Sequence, residues 1–242
     1  MVSQIPDTRE PATSGPTFDV VDQRLVRIDV DGFVWIKRGS VVAYQGDLRF
    51  HRESVIQPEG IHLRAGPVRS SLDREEVPLA KAEGRGCLYI SNDSQYSRVI
   101  RLDGETLYVS AFSFLACEPT VEHAIVTLGA VGVLGGELFA VRLSGHGFVA
   151  FSVNGPPLAL PVTPANPVST NPTATVAWTA GLWPELKTDL EIGSLVAHGG
   201  GEPIQMCFRG RGQVFVTARS RTETMRSNVL KSLTSKIAKL FA

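Results

Sequence analysis

The chain has 242 residues, 43% of them apolar and 20% charged, with 24 Lys+Arg balanced by 24 Asp+Glu. This length can bury a substantial core. The balance excludes a disordered chain, a membrane bundle and a protein that holds nucleic acid through its overall charge. The 23 glycines and 15 prolines, set among many Val and Thr, point to a turn-rich β protein.

Residues 1–17 open with MVSQIPDTREPATSG, which has neither a basic n-region nor an apolar h-region. They read as a disordered tail, not a secretory signal, and the chain is expected in the cytoplasm. Beyond the tail the sequence repeats itself, a signal that takes precedence over any short motif. Glu76, Glu137 and Glu202 are each followed eight residues later by Gly-x-Gly and an alternating apolar run ending in Ser or Thr. The glycine pairs are Gly84 and Gly86, Gly145 and Gly147, and Gly210 and Gly212, at periods of 61 and 65 residues. Upstream of each glutamate lies a second recurring element: Val42-Ala43-Tyr44, Leu115-Ala116-Cys117 and Val176-Ala177-Trp178.

The dipeptides Asp31-Gly32, Asp103-Gly104 and Asn154-Gly155 precede these elements and predict a tight turn at the start of each copy. The Gly-x-Gly steps predict a turn or bulge where backbones approach closely. Copies are expected at 18–103, 104–153 and 154–219, packed as one cooperative body because units so short bury little core alone. The glycine-rich apolar run Ala124 to Val141 contains Glu137 and reads as a buried hairpin, not a membrane span. Residues 156–172 carry six prolines, which forbid a central strand, and read as a semi-rigid insertion between copies two and three.

Residues 220–242 predict an amphipathic α-helix. Val229, Leu230, Leu233, Ile237, Leu240 and Phe241 fall on one face, with Lys231 and Lys239 opposite and Lys236 nearby. Over 219–242 six basic residues face one acid, so the net neutrality is a cancellation between a basic end and an acidic body. The segment can dock on the β body or on a partner, or lie on an anionic membrane surface.

The runs DGFVWIKRGSVVAYQGDLRF, GETLYVSAFSFLACEPTVE, GGELFAVRLSGHGFVAFSVNG and FRGRGQVFVTARS together resemble the altered-inheritance-of-mitochondria family, over about residues 18–220. The resemblance implies an all-β fold of three tandem repeats. Each repeat is similar to the small β-sandwich subunit of the trp RNA-binding attenuation protein. It also implies homotrimers in which nine repeats close a ring. The family supplies no catalytic residues to carry over.

Chemistry-bearing motifs are absent. The sequence has no P-loop, no GxSxG, no HExxH and no EF-hand loop, and its five histidines include no closely spaced pair. No catalytic, cofactor or metal site is expected. Cys87, Cys117 and Cys207 make no CxxC and are expected as buried thiols. Equivalent glutamates in three copies suit structural work better than a paired-carboxylate mechanism. Trp35, Trp178 and Trp183 are expected in the core or a subunit interface, and Arg64, Arg69 and Arg74 in a solvated loop. RNA binding requires a basic ring near stacking aromatics, whereas only Arg85, His146 and Arg211 match in position. The reading is a non-enzymatic oligomeric scaffold acting through assembly and partner or membrane contact. The alternative is a module that binds RNA or a small ligand in clefts between repeats.

Overall fold

Alternating burial along the strands sets the architecture. In Leu25–Lys37 the residues Val26, Ile28, Val30, Val34 and Ile36 are buried, while Arg27, Asp29 and Asp31 between them face outward. The computed structural model describes residues 16–52, 79–92, 95–130, 137–187 and 204–218. Every element among them is a strand: β1 (Thr17–Asp22), β2 (Leu25–Lys37), β3 (Val41–Arg52), β4 (Leu79–Ile90), β5 (Tyr96–Ser110), β6 (Phe114–Cys117), β7 (Val121–Ala130), β8 (Glu137–Val153), β9 (Leu158–Val162), β10 (Val168–Thr170), β11 (Thr175–Thr179), β12 (Leu182–Lys187), β13 (Gln205–Gly210) and β14 (Gly212–Val216). The fold is all-β. The expected C-terminal helix lies outside the described residues, as do Glu76, Glu202, Arg64, Arg69 and Arg74.

All pairings are antiparallel. One sheet runs β3-β4-β2-β6-β8-β5-β11-β14-β9, with β1 added beside β2 and β7 beside β8; a smaller sheet runs β10-β13-β12. Three apolar clusters fill the interior, around Ile28 and Leu88, around Leu143 and Val149, and around Trp178 and Phe208. Each fully buried side chain of this size contributes about 2 kcal/mol.

One pairing pattern occurs three times. Val41 lies opposite Ile90 and Ala43 opposite Tyr89, with Val42 bulged between them. Phe114 lies opposite Phe151 and Ala116 opposite Ala150, with Leu115 bulged. Thr175 lies opposite Val216 and Ala177 opposite Phe215, with Val176 bulged. In each case the alanine pairs with the residue three positions after the second glycine of Gly-x-Gly. The recurring Val/Leu-Ala-aromatic/Cys element is therefore a bulge-bearing strand paired with the Gly-x-Gly strand.

The turn assignments need correction. Asp31-Gly32 lies inside β2 and Asp103-Gly104 inside β5, with Gly32 at φ 110° and Gly104 at φ 99°. Only Asn154-Gly155 separates two strands, β8 and β9. Neither Gly84-Arg85-Gly86 nor Gly145-His146-Gly147 divides its strand, whereas β13 and β14 break at Arg211. The glycines are needed because the neighbouring backbone approaches too closely there to leave room for a side chain. A Cβ on Gly84 would strike the Asp47 carbonyl oxygen, and one on Gly86 the Gln45 carbonyl oxygen.

The proline-rich stretch is also more than a connection. It supplies β9, paired with β14, and β10, paired with β13. Both are terminal in their sheets, which is where proline is tolerated. The apolar run from Ala124 does form a hairpin, β7 against β8.

Gly84→Ala is expected to destabilise by about 3 kcal/mol, combining positive φ with a backbone clash. Gly32→Ala, which meets open space, should cost about 1 kcal/mol from φ alone. Urea midpoints at constant m-value measure both; equal losses would contradict the close-approach account.

Candidate functional site

The middle residues of Gly-x-Gly project from the sheet surface. Arg85 places a guanidinium nitrogen 3.1 Å from Asp31 Oδ1 on the neighbouring strand. His146 stands opposite Asp103, its ring lying against Gly104. In the third case Val162 pairs with Gly212 just as Val30 pairs with Gly86. Thr163 then takes the place of the aspartate, so Arg211 has no matching carboxylate. These positions hold one ion pair, one histidine set opposite an aspartate and, in the third case, an arginine opposite a threonine, not a uniform basic band.

A second set of equivalent positions lies one residue beyond the bulged element. Glu118 Oε2 accepts the Phe148 N–H at 2.9 Å, and Thr179 Oγ1 accepts the Gln213 N–H at 3.1 Å. The acceptors differ in kind, a carboxylate and a hydroxyl, and Gln45 stands at the corresponding place in β3. A Cβ on Gly147 would lie 2.6 Å from both Glu118 Oε2 and Thr120 Oγ1, so this glycine makes room for the carboxyl group. Burial pushes the Glu118 carboxyl above its ordinary range, partly opposed by the Phe148 N–H, Arg101 and Thr120.

Cys87 departs from the expected buried thiols. Cys117 and Cys207 are buried, but Cys87 is only half-buried, and Arg27 Nε donates to its sulfur at 3.2 Å. The same guanidinium is held by Asp29 at 2.8 Å. Hydrogen bonding to the Cys87 sulfur pushes the Tyr89 hydroxyl up. Two hollows stand out. One, about 10 Å³ beside Trp178 and Met206, has room for a single water. The other, about 200 Å³, is an open polar depression bounded by Asp47, Arg49, His51 and Glu83. Neither has the 300–1,000 Å³ typical of small-molecule sites. Among the described residues no group of three His, Cys, Asp or Glu side chains is arranged to hold a metal.

The strongest surface feature is an apolar edge. Val42 is 59% exposed and Tyr44 51%, with Phe50 packed edge-on against Tyr44 at 5.2 Å. Their equivalents are covered: Leu115 and Cys117 by β2 alongside β6, and Val176 and Trp178 by β5 alongside β11. Trp178 also stacks on Tyr108 at 5.7 Å, and Tyr108 meets the half-exposed Trp183 edge-on. Of the three tryptophans, only Trp178 is fully in the core.

Residues 18–219 match the family model for mitochondrial biogenesis AIM24. The chain belongs to the AIM24 family. Its fold is similar to the X-ray crystal structure of protein SPYM3_0169 from Streptococcus pyogenes, with a TM-score of 0.63 at 20% identity. That similarity covers 88% of this chain and 97% of the other. Among curated proteins, none matches the sequence. In this AIM24 member, each of the six glycines of the Gly-x-Gly steps lies where an added Cβ would come within 3.1 Å of a neighbouring atom. Glu137 opens β8, while the apolar set Val229, Leu230, Leu233, Ile237, Leu240 and Phe241, with Lys231, Lys236 and Lys239, falls outside the described residues.

Sequence reasoning found the Val42-Ala43-Tyr44 element but could not tell that its outer side is bare. It missed Glu118, whose only signal was a carboxylate following a strand of buried residues.

Glu118→Gln tests the burial effect. The folded-state pKa is raised, so the wild-type carboxyl stabilises nothing above its ordinary range and costs stability as pH rises through the raised value. The variant should match wild type at pH 4 and exceed it at pH 7 in urea unfolding. An identical offset at both pH values would refute the assignment.

Proposed function

We propose that this AIM24-family chain is a non-enzymatic scaffold that works by assembling with copies of itself, from three tandem units similar to the attenuation-protein subunit. The carrying observation is the bulged pairing of Ala43 with Tyr89, Ala116 with Ala150 and Ala177 with Phe215, each in the same register from its Gly-x-Gly. The units comprise β2, β3 and β4; β5, β6, β7 and β8; and β9 to β14. On this reading β9 and β10 are the third unit's version of β2 and β5, and nothing is inserted.

Among the described residues, three units leave an open edge at β3 at one end and at β9, together with β10 of the smaller sheet, at the other. Closing such edges removes unpaired backbone groups and prevents indefinite growth, which favours a ring, proposed as a homotrimer of nine units. The small hollows and the neutralised Arg85 weigh against the ligand- and RNA-binding alternative. The proposed setting is the cytoplasm, with the basic amphipathic segment 220–242 meeting a membrane surface or a protein partner. No helix among the described residues is long and apolar enough to span a membrane.

Native mass measurement should return three copies of the 26.1 kDa chain with no retained RNA or metabolite. A monomer at micromolar concentration, or stoichiometric RNA, would overturn the reading. Removing residues 225–242 should leave the trimer intact and abolish co-sedimentation with anionic vesicles; loss of the trimer would assign the segment to assembly instead.

A further inference from the structure

The two junctions inside the chain have one geometry. At the first, Trp35 of β2 lies opposite Cys117 of β6, and Ile36 opposite Ala116. At the second, Tyr108 of β5 lies opposite Trp178 of β11, and Val109 opposite Ala177. Counting from the paired Gly-x-Gly strands shows that these are the same positions. Trp35 faces Lys81, Tyr108 faces Arg142 and Ser169 faces Cys207, each three residues before the first glycine. Ser169 and Thr170 of β10 therefore correspond to Trp35 and Ile36, and to Tyr108 and Val109. On the receiving side, Ala43 and Tyr44 correspond to Ala116 and Cys117, and to Ala177 and Trp178.

Both halves of a third junction are thus present and apart. β10 is terminal in its sheet and so is β3. Ser169 is exposed, and so is every residue from Val42 to Asp47. The burial contrast identifies what is missing. Leu115 is 0% exposed and Val176 1%, because a β2-type strand runs alongside; among the described residues no strand lies beside Val42. β3 and β10 belong to opposite ends of one chain's series of units, so a second copy can supply to each the strand that the internal junctions have.

We infer that β10 of one chain pairs antiparallel with β3 of a second copy, in a register that sets Val168 opposite Gln45, Ser169 opposite Tyr44 and Thr170 opposite Ala43. This rests on the scaffold reading above and specifies the joint by which it assembles. The joint is head-to-tail: each copy gives its β10 edge to one neighbour and its β3 edge to another. It differs from the internal junctions in its incoming residue. Inside the chain Trp35 and Tyr108 stand on the incoming strand, whereas here the incoming residue is Ser169. The receiving residue is Tyr44, an aromatic as Trp178 is at the second junction, so a small residue meets a large one and the receiving strand alone supplies the aromatic volume.

The test is paired cysteine cross-linking of the full chain. In a Cys87→Ser, Cys207→Ser background, which removes the thiols beside both sites, Gln45→Cys and Val168→Cys are combined. Oxidation should give covalent oligomers under denaturing conditions, and each single variant should give none. Val42→Lys places a charge on the β3 edge without touching the interior of its own chain; it should remain folded by circular dichroism and lose assembly in native mass spectra. Val20→Lys, on exposed β1, should assemble as wild type. If wild type is monomeric, the scaffold reading itself fails. If wild type assembles but the cysteine pair stays monomeric on oxidation and Val42→Lys still assembles, the joint is refuted and the scaffold reading stands.

Discussion

The fold depends on paired strands approaching so closely that no side chain fits between them. At Gly84 and Gly86 the backbone of β4 lies against the carbonyls of Asp47 and Gln45 so closely that a methyl group would overlap them. Gly46 returns the same approach from β3, toward Arg85. β4 keeps continuous register through these glycines with β2 on one side and β3 on the other, so both neighbours depend on the same close approach. The glutamine, glutamate and threonine one step past the bulged elements belong to the same device, and in two of the three positions the side chain caps the N–H that follows the second glycine.

From this close approach the pairing pattern recurs along the sheet. Two of the three bulged strands, β6 and β11, take a strand that lies earlier in the chain on their outer edge, β2 and β5, and aromatic groups stand at both seams. Trp35 packs on His123, and Tyr108 on Trp178 and Trp183. The seams are where three small apolar clusters become one interior. Such a body has little need of a deep cavity, and the polar face of β2, β3 and β4 is instead a lattice of matched charges, Arg27 with Asp29, Arg85 with Asp31 and Lys81 with Glu83.

Much of this was legible in the sequence, and the limits have physical causes. Strand content followed from alternation, and the Gly-x-Gly spacing located the close approaches, because close backbone packing demands glycine wherever it occurs. Asp31-Gly32 and Asp103-Gly104 misled because a positive φ serves a mid-strand bulge as well as a hairpin turn, and local chemistry does not distinguish them. Proline content suggested that 156–172 lay outside the sheet. In fact it supplies strands at sheet edges, where missing N–H groups face away from any partner. The exposed edge of β3 was invisible for a different reason. Val42, Leu115 and Val176 are alike in sequence, and only the presence or absence of a neighbouring strand separates them.

The bare edge of β3 also has a consequence in time. β3 is made before β5 to β14, and on the proposed assembly its outer edge is the last to be covered, since its partner strand lies on another chain. On that reading Val42 and Tyr44 stay open during synthesis while the later strands are still being made. An open apolar edge is a template for mispairing. The charged residues interleaved along the same strand, Asp47 and Arg49 among them, discourage unsuitable strands from settling there first. On the proposed assembly, the edge that joins the copies is also the one that waits.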